Sequence, residues 1–188
     1  MRNCILFFFF FFFNYSYSQN QDAIIYFNDG SSIEGFGMIK DEKILFKVSP
    51  KDKYDEWTNE IAKGIKFIGF DTESKFEFVK LDKNSKVFLL EVLSDGNVKL
   101  FVKFESVNSI ENYFSNNLGY FNQKQEYTYY LKKGFEEFPK KLRDTNYIKM
   151  TSIYFHDCDA LVNKIRNHEY RYETISKMVD YYNDICSN

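Results

Sequence analysis

Between residues 23 and 105 apolar and polar residues alternate with a period of two, the mark of strands that turn one face to a core. Residues 23–28 and 31–39 flank Asp29-Gly30, a two-residue turn in which glycine takes the positive φ that a tight hairpin needs. Residues 43–49 follow, with Ile44, Phe46 and Val48 alternating with Leu45 and Lys47. Residues 64–70 and 75–81 are joined by Asp71-Thr72-Glu73-Ser74. Residues 86–94 and 97–105 flank a second hairpin turn, Asp95-Gly96. In the later strand Val98, Leu100, Val102 and Phe104 share one face; Lys99, Phe101, Lys103 and Glu105 share the other. The earlier strand is apolar on both faces, as in a central strand covered on two sides. Residues 126–132, with Tyr127, Tyr129 and Leu131, add an eighth run. These connections are too short for crossovers, so the pairs are antiparallel. The pattern predicts a β-meander of seven or eight strands, as an open sheet or a small barrel. Gly35-Phe36-Gly37, within the second run, reads as a bend or bulge.

Two connections are long. Residues 50–63 are charged and carry Tyr54 and Trp57. Residues 106–125 hold five Asn with Tyr113, Phe114, Tyr120 and Phe121. Linkers of this length are mobile or functional. Their aromatics either tuck onto the sheet edges or serve as recognition anchors, which makes these six side chains the candidate binding residues.

The period changes near residue 134. Cys158, Leu161, Val162 and Ile165 fall on one helical stripe, and Ile175, Met178, Val179, Tyr182 and Cys186 on another. Asp157 is the expected N-cap of the first helix, with Asp159 in its first turn. The polar connector 167–172 makes the two helices an antiparallel hairpin. That arrangement brings Cys158, at the start of one helix, beside Cys186, at the end of the other, and predicts a disulfide between them. Residues 138–155 are expected to be helical too, with Pro139 in a first turn and Asp144-Thr145-Asn146 as the point where the helix can divide.

The first 18 residues change the picture of destination. Arg2 supplies a positive start, residues 4–13 an apolar block with seven consecutive Phe, and Ser16 and Ser18 the small residues before a cut at Ser18/Gln19. This is the secretory signal pattern, and the block is shorter than the ~20 residues of a spanning helix. No other apolar run reaches membrane length. The expected product is secreted or periplasmic, with residues 19–132 as a β-rich body and 133–188 as a helical cap packed on it as one α+β domain. After the cut, Cys158 and Cys186 are its only cysteines. The net charge of -2 offers no strongly basic face for nucleic acid.

Four strings form a set: Asp95-Gly96-Asn97-Val98-Lys99-Leu100, Tyr129-Tyr130-Leu131-Lys132-Lys133, Tyr154-Phe155-His156-Asp157-Cys158-Asp159-Ala160-Leu161 and Tyr181-Tyr182-Asn183-Asp184-Ile185-Cys186. Together they resemble a family of uncharacterised secreted proteins of Gram-negative bacteria, in which Phe-x-Asp-Cys and Tyr-Tyr-Asn-x-x-Cys occur together. The resemblance implies export, a β-rich body and a short helical tail with a cysteine pair. It implies no activity.

Catalytic patterns are lacking. There is no Gly-x-Ser-x-Gly elbow, no P-loop and no Gly-x-Gly-x-x-Gly. His156, Cys158, His168 and Cys186 are residue types that zinc favours, but their spacing matches no common site and an oxidising compartment favours the disulfide. The same pairing withdraws Cys158 as a thiol nucleophile for His156. Asp52, Asp55 and Glu56 lie in a charged loop, and Asp71 and Glu73 lack the dense oxygen pattern of a calcium site. No cofactor and no metal is expected. The sequence therefore predicts a non-enzymatic binding or structural envelope protein with a protein or apolar small-molecule partner. The alternative is a small β-barrel carrier of an apolar ligand, with a hydrolase behind both.

Overall fold

The structure, a computed structural model, describes residues 21–69, 73–110 and 121–187, and of residues 105–110 and 121–126 the backbone. The signal segment 1–18 and its cut lie outside the described residues, as do Tyr113, Phe114 and Tyr120.

Ten antiparallel strands form one sheet: β1 (Gln21–Phe27), β2 (Ser32–Lys40), β3 (Lys43–Lys47), β4 (Asp55–Trp57), β5 (Ala62–Ile68), β6 (Glu73–Lys80), β7 (Val87–Ser94), β8 (Val98–Ile110), β9 (Phe121–Lys133) and β10 (Lys140–Lys141). All eight runs of the period-two pattern are strands. The two additions, β4 and β10, have three and two residues and close the sheet edges, too short to show a period. The linker expected over residues 106–125 is shorter than predicted. β8 and β9 carry on through it, paired from Val98↔Lys133 to Ile110↔Phe121, because each strand's backbone satisfies the other's hydrogen bonds even where the side chains are polar.

The meander is broken once. Strand order is β10-β9-β8-β7-β6-β5-β1-β2-β3-β4, so β5 pairs with β1 and not with β4. In a flat sheet the ends of β4 and β5 would lie about 19 Å apart, four spacings of ~4.8 Å. Yet the Ala62 N–H donates to the Thr58 carbonyl at 2.9 Å, closing the connection in a single turn. Asn28 ties that turn to the β1–β2 hairpin by donating to the Asn59 and Glu60 carbonyls, each at 3.1 Å. The sheet is open in its pairing but curls through β1–β5. Ile25, Ile44, Phe46, Ile65 and Phe67 fill the curl, with Trp57 against Phe27 at 5.2 Å. Gly35 and Gly37 permit it. A Cβ at Gly37 would meet the Ile65 Cδ1 at 2.4 Å, and one at Gly35 the Lys47 carbonyl at 2.4 Å. The β1–β2 register runs evenly past both glycines, so they are close-packing positions and not the bulge that the sequence suggested.

Three helices follow: α1 (Tyr147–Tyr154), entered through a 3-10 turn (Asp144–Asn146), α2 (Asp159–Arg166), and α3 (Ile175–Tyr181), which widens into a π turn (Tyr182–Cys186). The helix expected over 138–155 begins only at Tyr147. Upstream, Lys140 and Lys141 pair with Leu131 and Tyr130, and Leu142 N–H donates to the Tyr129 carbonyl at 2.8 Å. The outer edge of β9 needs those hydrogen bonds, and strand pairing wins over helix there. Phe155, Leu161, Ile165, Ile175 and Met178 pack on Val98, Leu100, Val102, Tyr129 and Leu131, which project from one face of β8 and β9. Among the described residues no helix is long and apolar enough to cross a membrane.

Candidate functional site

Cys158 and Cys186 form a disulfide across the expected helix ends, with Cα atoms 5.8 Å apart. Cys158 is itself the N-cap of α2, extended at φ -132° and ψ 91°. Asp157, the predicted cap, lies one residue upstream and has other work. Its carboxylate accepts from the Tyr182 hydroxyl at 2.7 Å and the Lys133 ammonium at 3.0 Å. Burial pushes its pKa up, but those two bonds outweigh it and hold the carboxyl below its ordinary value. With both cysteines oxidised, the four residue types weighed for zinc do not form a ligand set.

The disulfide fixes the π turn, and the π turn grips the β7–β8 hairpin. The Asn183 side chain accepts from the Val98 N–H at 2.9 Å and donates to the Val98 carbonyl at 2.9 Å and the Ser94 hydroxyl at 3.1 Å. One carboxamide thus replaces a neighbouring strand where the β7–β8 register slips between Val92 and Ser94. Gly96 is required beneath it, because a Cβ there would lie 2.6 Å from the Asn183 Cγ. The four strings that carried the family resemblance converge at this place.

On the opposite face of the same hairpin the sheet carries a closed ring of ion pairs. Lys75 meets Glu77 at 2.9 Å and Asp95 at 2.5 Å; Lys99 meets Glu77 at 2.7 Å and Asp95 at 3.2 Å. Two alternate positions of β6 supply Lys75 and Glu77, the hairpin turn supplies Asp95, and the first turn-proximal residues of β8 supply Lys99. Burial works against the charge of Glu77, but hydrogen bonds from Lys99 and Lys75 outweigh it and lower its pKa. Asp95 is lowered in the same way. Burial disfavours the Lys75 ammonium, yet its bonds to Asp95 and Glu77 raise its pKa. All three groups are thereby held in their charged forms.

Beside the ring lies a trough of about 360 Å³, lined by Lys63, Glu77, Val79, Lys99, Phe101 and Lys132, with Gly134 and Glu137 on the rim. That volume is at the lower end of ligand pockets, ~300–1,000 Å³. A smaller hollow of about 130 Å³ continues past Lys63 and Gly64 towards Gly30. The floor belongs to a third apolar cluster, Val79, Leu90, Phe101 and Tyr130, which is buried without any helical residue. Long side chains contribute to that burial: the Lys103 ammonium lies 4.1 Å from the centre of the Phe88 ring. A larger hollow of about 530 Å³ runs along α1 from Asp144 to Ile153, but no ion pair joins its described side chains.

The sequence-predicted binding residues lie elsewhere. Trp57 is on edge strand β4 and packs into the curl; half-buried Tyr54 sits beneath the Lys47 ammonium at 4.7 Å. Phe121 opens β9 opposite Ile110. Tyr54 and Trp57 are thus at one edge of the sheet and Phe121 near the other, and the described structure does not bring them together. Sequence reasoning missed Lys75, Glu77, Asp95 and Lys99. The available signal was charge alternation on β6 and around the second Asp-Gly turn.

The ring sets a pH dependence. Glu77 and Asp95 have folded pKa values below 4.5 and 3.8, so their stabilisation is complete above those values and drains away as pH falls through the folded ones. Glu77→Gln is expected to cost about 2 kcal/mol at pH 7 by leaving two lysines short of a carboxylate. The cost shrinks as pH falls below 4.5 and through the lower folded value, where the native carboxyl also protonates. Urea unfolding of both proteins between pH 3 and pH 7 checks this.

No protein-family model, curated protein or solved structure matches the chain. The fold and the site define an α+β protein: an open, curled antiparallel sheet under a disulfide-tied helical cap, with a charged trough on the sheet's other face.

Proposed function

We propose that this chain is an exported, non-enzymatic binding protein and that the trough is where it binds. The observation that carries the reading is the ring of ion pairs beside an apolar floor. Lys75 is held as ammonium and Glu77 and Asp95 as carboxylates, which suits fixed electrostatic recognition. A proton-transfer catalyst instead needs a group poised near working pH. Export is supported by the signal pattern of residues 1–18 and by a disulfide of the kind that persists in oxidising compartments. The alternative of a barrel carrier has less support. The curl through β1–β5 is occupied by Ile25, Ile44 and Ile65, each 0% exposed, and Phe46 at 3%.

Intact mass of the protein from the envelope and medium of an expressing Gram-negative cell, alkylated without reductant, tests export. The expected mature chain begins near Gln19 and has no alkylated cysteine. A chain that keeps Met1 and two reactive thiols would overturn the proposal.

A further inference from the structure

We propose that the trough takes an anion carried on a ring-sized body, the matching class being an acidic sugar with a carboxylate or a phosphate. This rests on the reading of the trough as a binding site.

The charge around the trough is unevenly met. Lys99 and Lys132 stand directly opposite each other across β8 and β9, on the trough side. Like charges in that register destabilise a sheet unless something compensates them. Lys99 is compensated by Glu77 and Asp95. Lys132 has no ion pair or hydrogen bond to a described residue, nor does Lys63, which lines the same trough from β5. Glu77 is already engaged by Lys75 and Lys99. An anion beside Lys132 would relieve the cross-strand repulsion and gain a charge-assisted hydrogen bond from an ammonium group that has no described partner, with Lys63 adding positive charge to the same trough.

The floor indicates what carries the anion. Val79 and Phe101 are 6% and 2% exposed, so the floor is closed, and the apolar surface a ring would meet is chiefly the aliphatic stems of Lys99 and Lys132 that line the trough above it. The volume of about 360 Å³ holds one such ring with some water. A duplex or a lipid chain would need a longer or deeper surface.

The test is an amide-resolved NMR titration of the oxidised mature chain with sodium glucuronate, glucose 6-phosphate, inorganic phosphate and glucose. Both acidic sugars are expected to shift the amides of Lys63, Val79, Phe101 and Lys132 saturably. Glucose should bind at least tenfold more weakly, and Lys132→Gln should weaken the acidic sugars about tenfold. A shift by only one acidic sugar supports the inference and identifies the anion as carboxylate or phosphate. Lys149→Gln, on α1 away from the trough, should change nothing. Glucose binding as tightly as glucuronate would overturn the inference while leaving the trough as a binding site. Inorganic phosphate matching glucose 6-phosphate would overturn the role of the floor. No trough shift with any of the four probes would overturn the inference and count against the binding reading as well.

Discussion

Replacing Cys158 and Cys186 together by alanine is expected to lower the unfolding free energy by about 3–4 kcal/mol. The bridge joins residues 28 apart in sequence, and opening a loop of that size returns roughly this much chain entropy to the unfolded state. The effect exceeds that of a surface staple because of what the bridge holds. Beyond Tyr181 the chain makes a five-residue π turn, which on its own is too short to persist. That turn carries Tyr182, 6% exposed against Phe155 with ring centres 4.8 Å apart, and it carries Asn183. Urea unfolding of the double variant beside the oxidised native chain measures the cost, and native chain unfolded in reductant should agree with the variant. A loss below about 1 kcal/mol would mean that noncovalent contacts alone seat the tail. It would leave the bridge without an energetic role.

The parts of this fold that were legible in the sequence share one property: their signal is local. Eight strands announce themselves by alternating or wholly apolar runs of seven or so residues, and both Asp-Gly turns by the glycine that a tight hairpin requires. The disulfide was legible because two helical stripes and one short connector determine which helix ends meet. Pairings between distant segments were not legible. Nothing near Ala62 says that β5 leaves β4 to pair with β1. That choice follows from the shared filling of the curl by Ile25, Ile44 and Ile65. The ion-pair ring was invisible for the same reason. Alternation alone puts Lys99 on the face opposite Val98, but its partners come from β6 and from the hairpin turn, and only the register of three strands places them together. Asn183 was the hardest to foresee, since an asparagine near a helix end ordinarily caps it or faces water.

Asn183→Ala is expected to cost about 3 kcal/mol, far more than most half-exposed polar residues. Val98 is 0% exposed, and both its N–H and its carbonyl depend on the Asn183 carboxamide. Removing that group strands one buried donor and one buried acceptor, at roughly 1–3 kcal/mol each. Water cannot readily replace it while Tyr182 and the disulfide keep the turn in place. Asn183→Asp should be nearly as damaging: it can still accept from the Val98 N–H but sets a charge against the Val98 carbonyl. Asn97→Ala, which loses one bond to the Ser187 carbonyl, should cost less than about 1 kcal/mol. Urea unfolding ranks the three, and faster exchange of the Val98 amide locates the damage. An unchanged Val98 exchange rate in Asn183→Ala would refute the strand-replacement role even if stability fell. The trough responds in turn, because Asp95 shares the hairpin that Asn183 grips: loosening the hairpin frees Lys75 and Lys99 from one of their two carboxylates. Asn183 and Cys186 are three residues apart on one turn, so their losses should not add. In the cysteine-free chain the turn already departs more readily from Val98, and Asn183→Ala should cost measurably less there than in the oxidised protein.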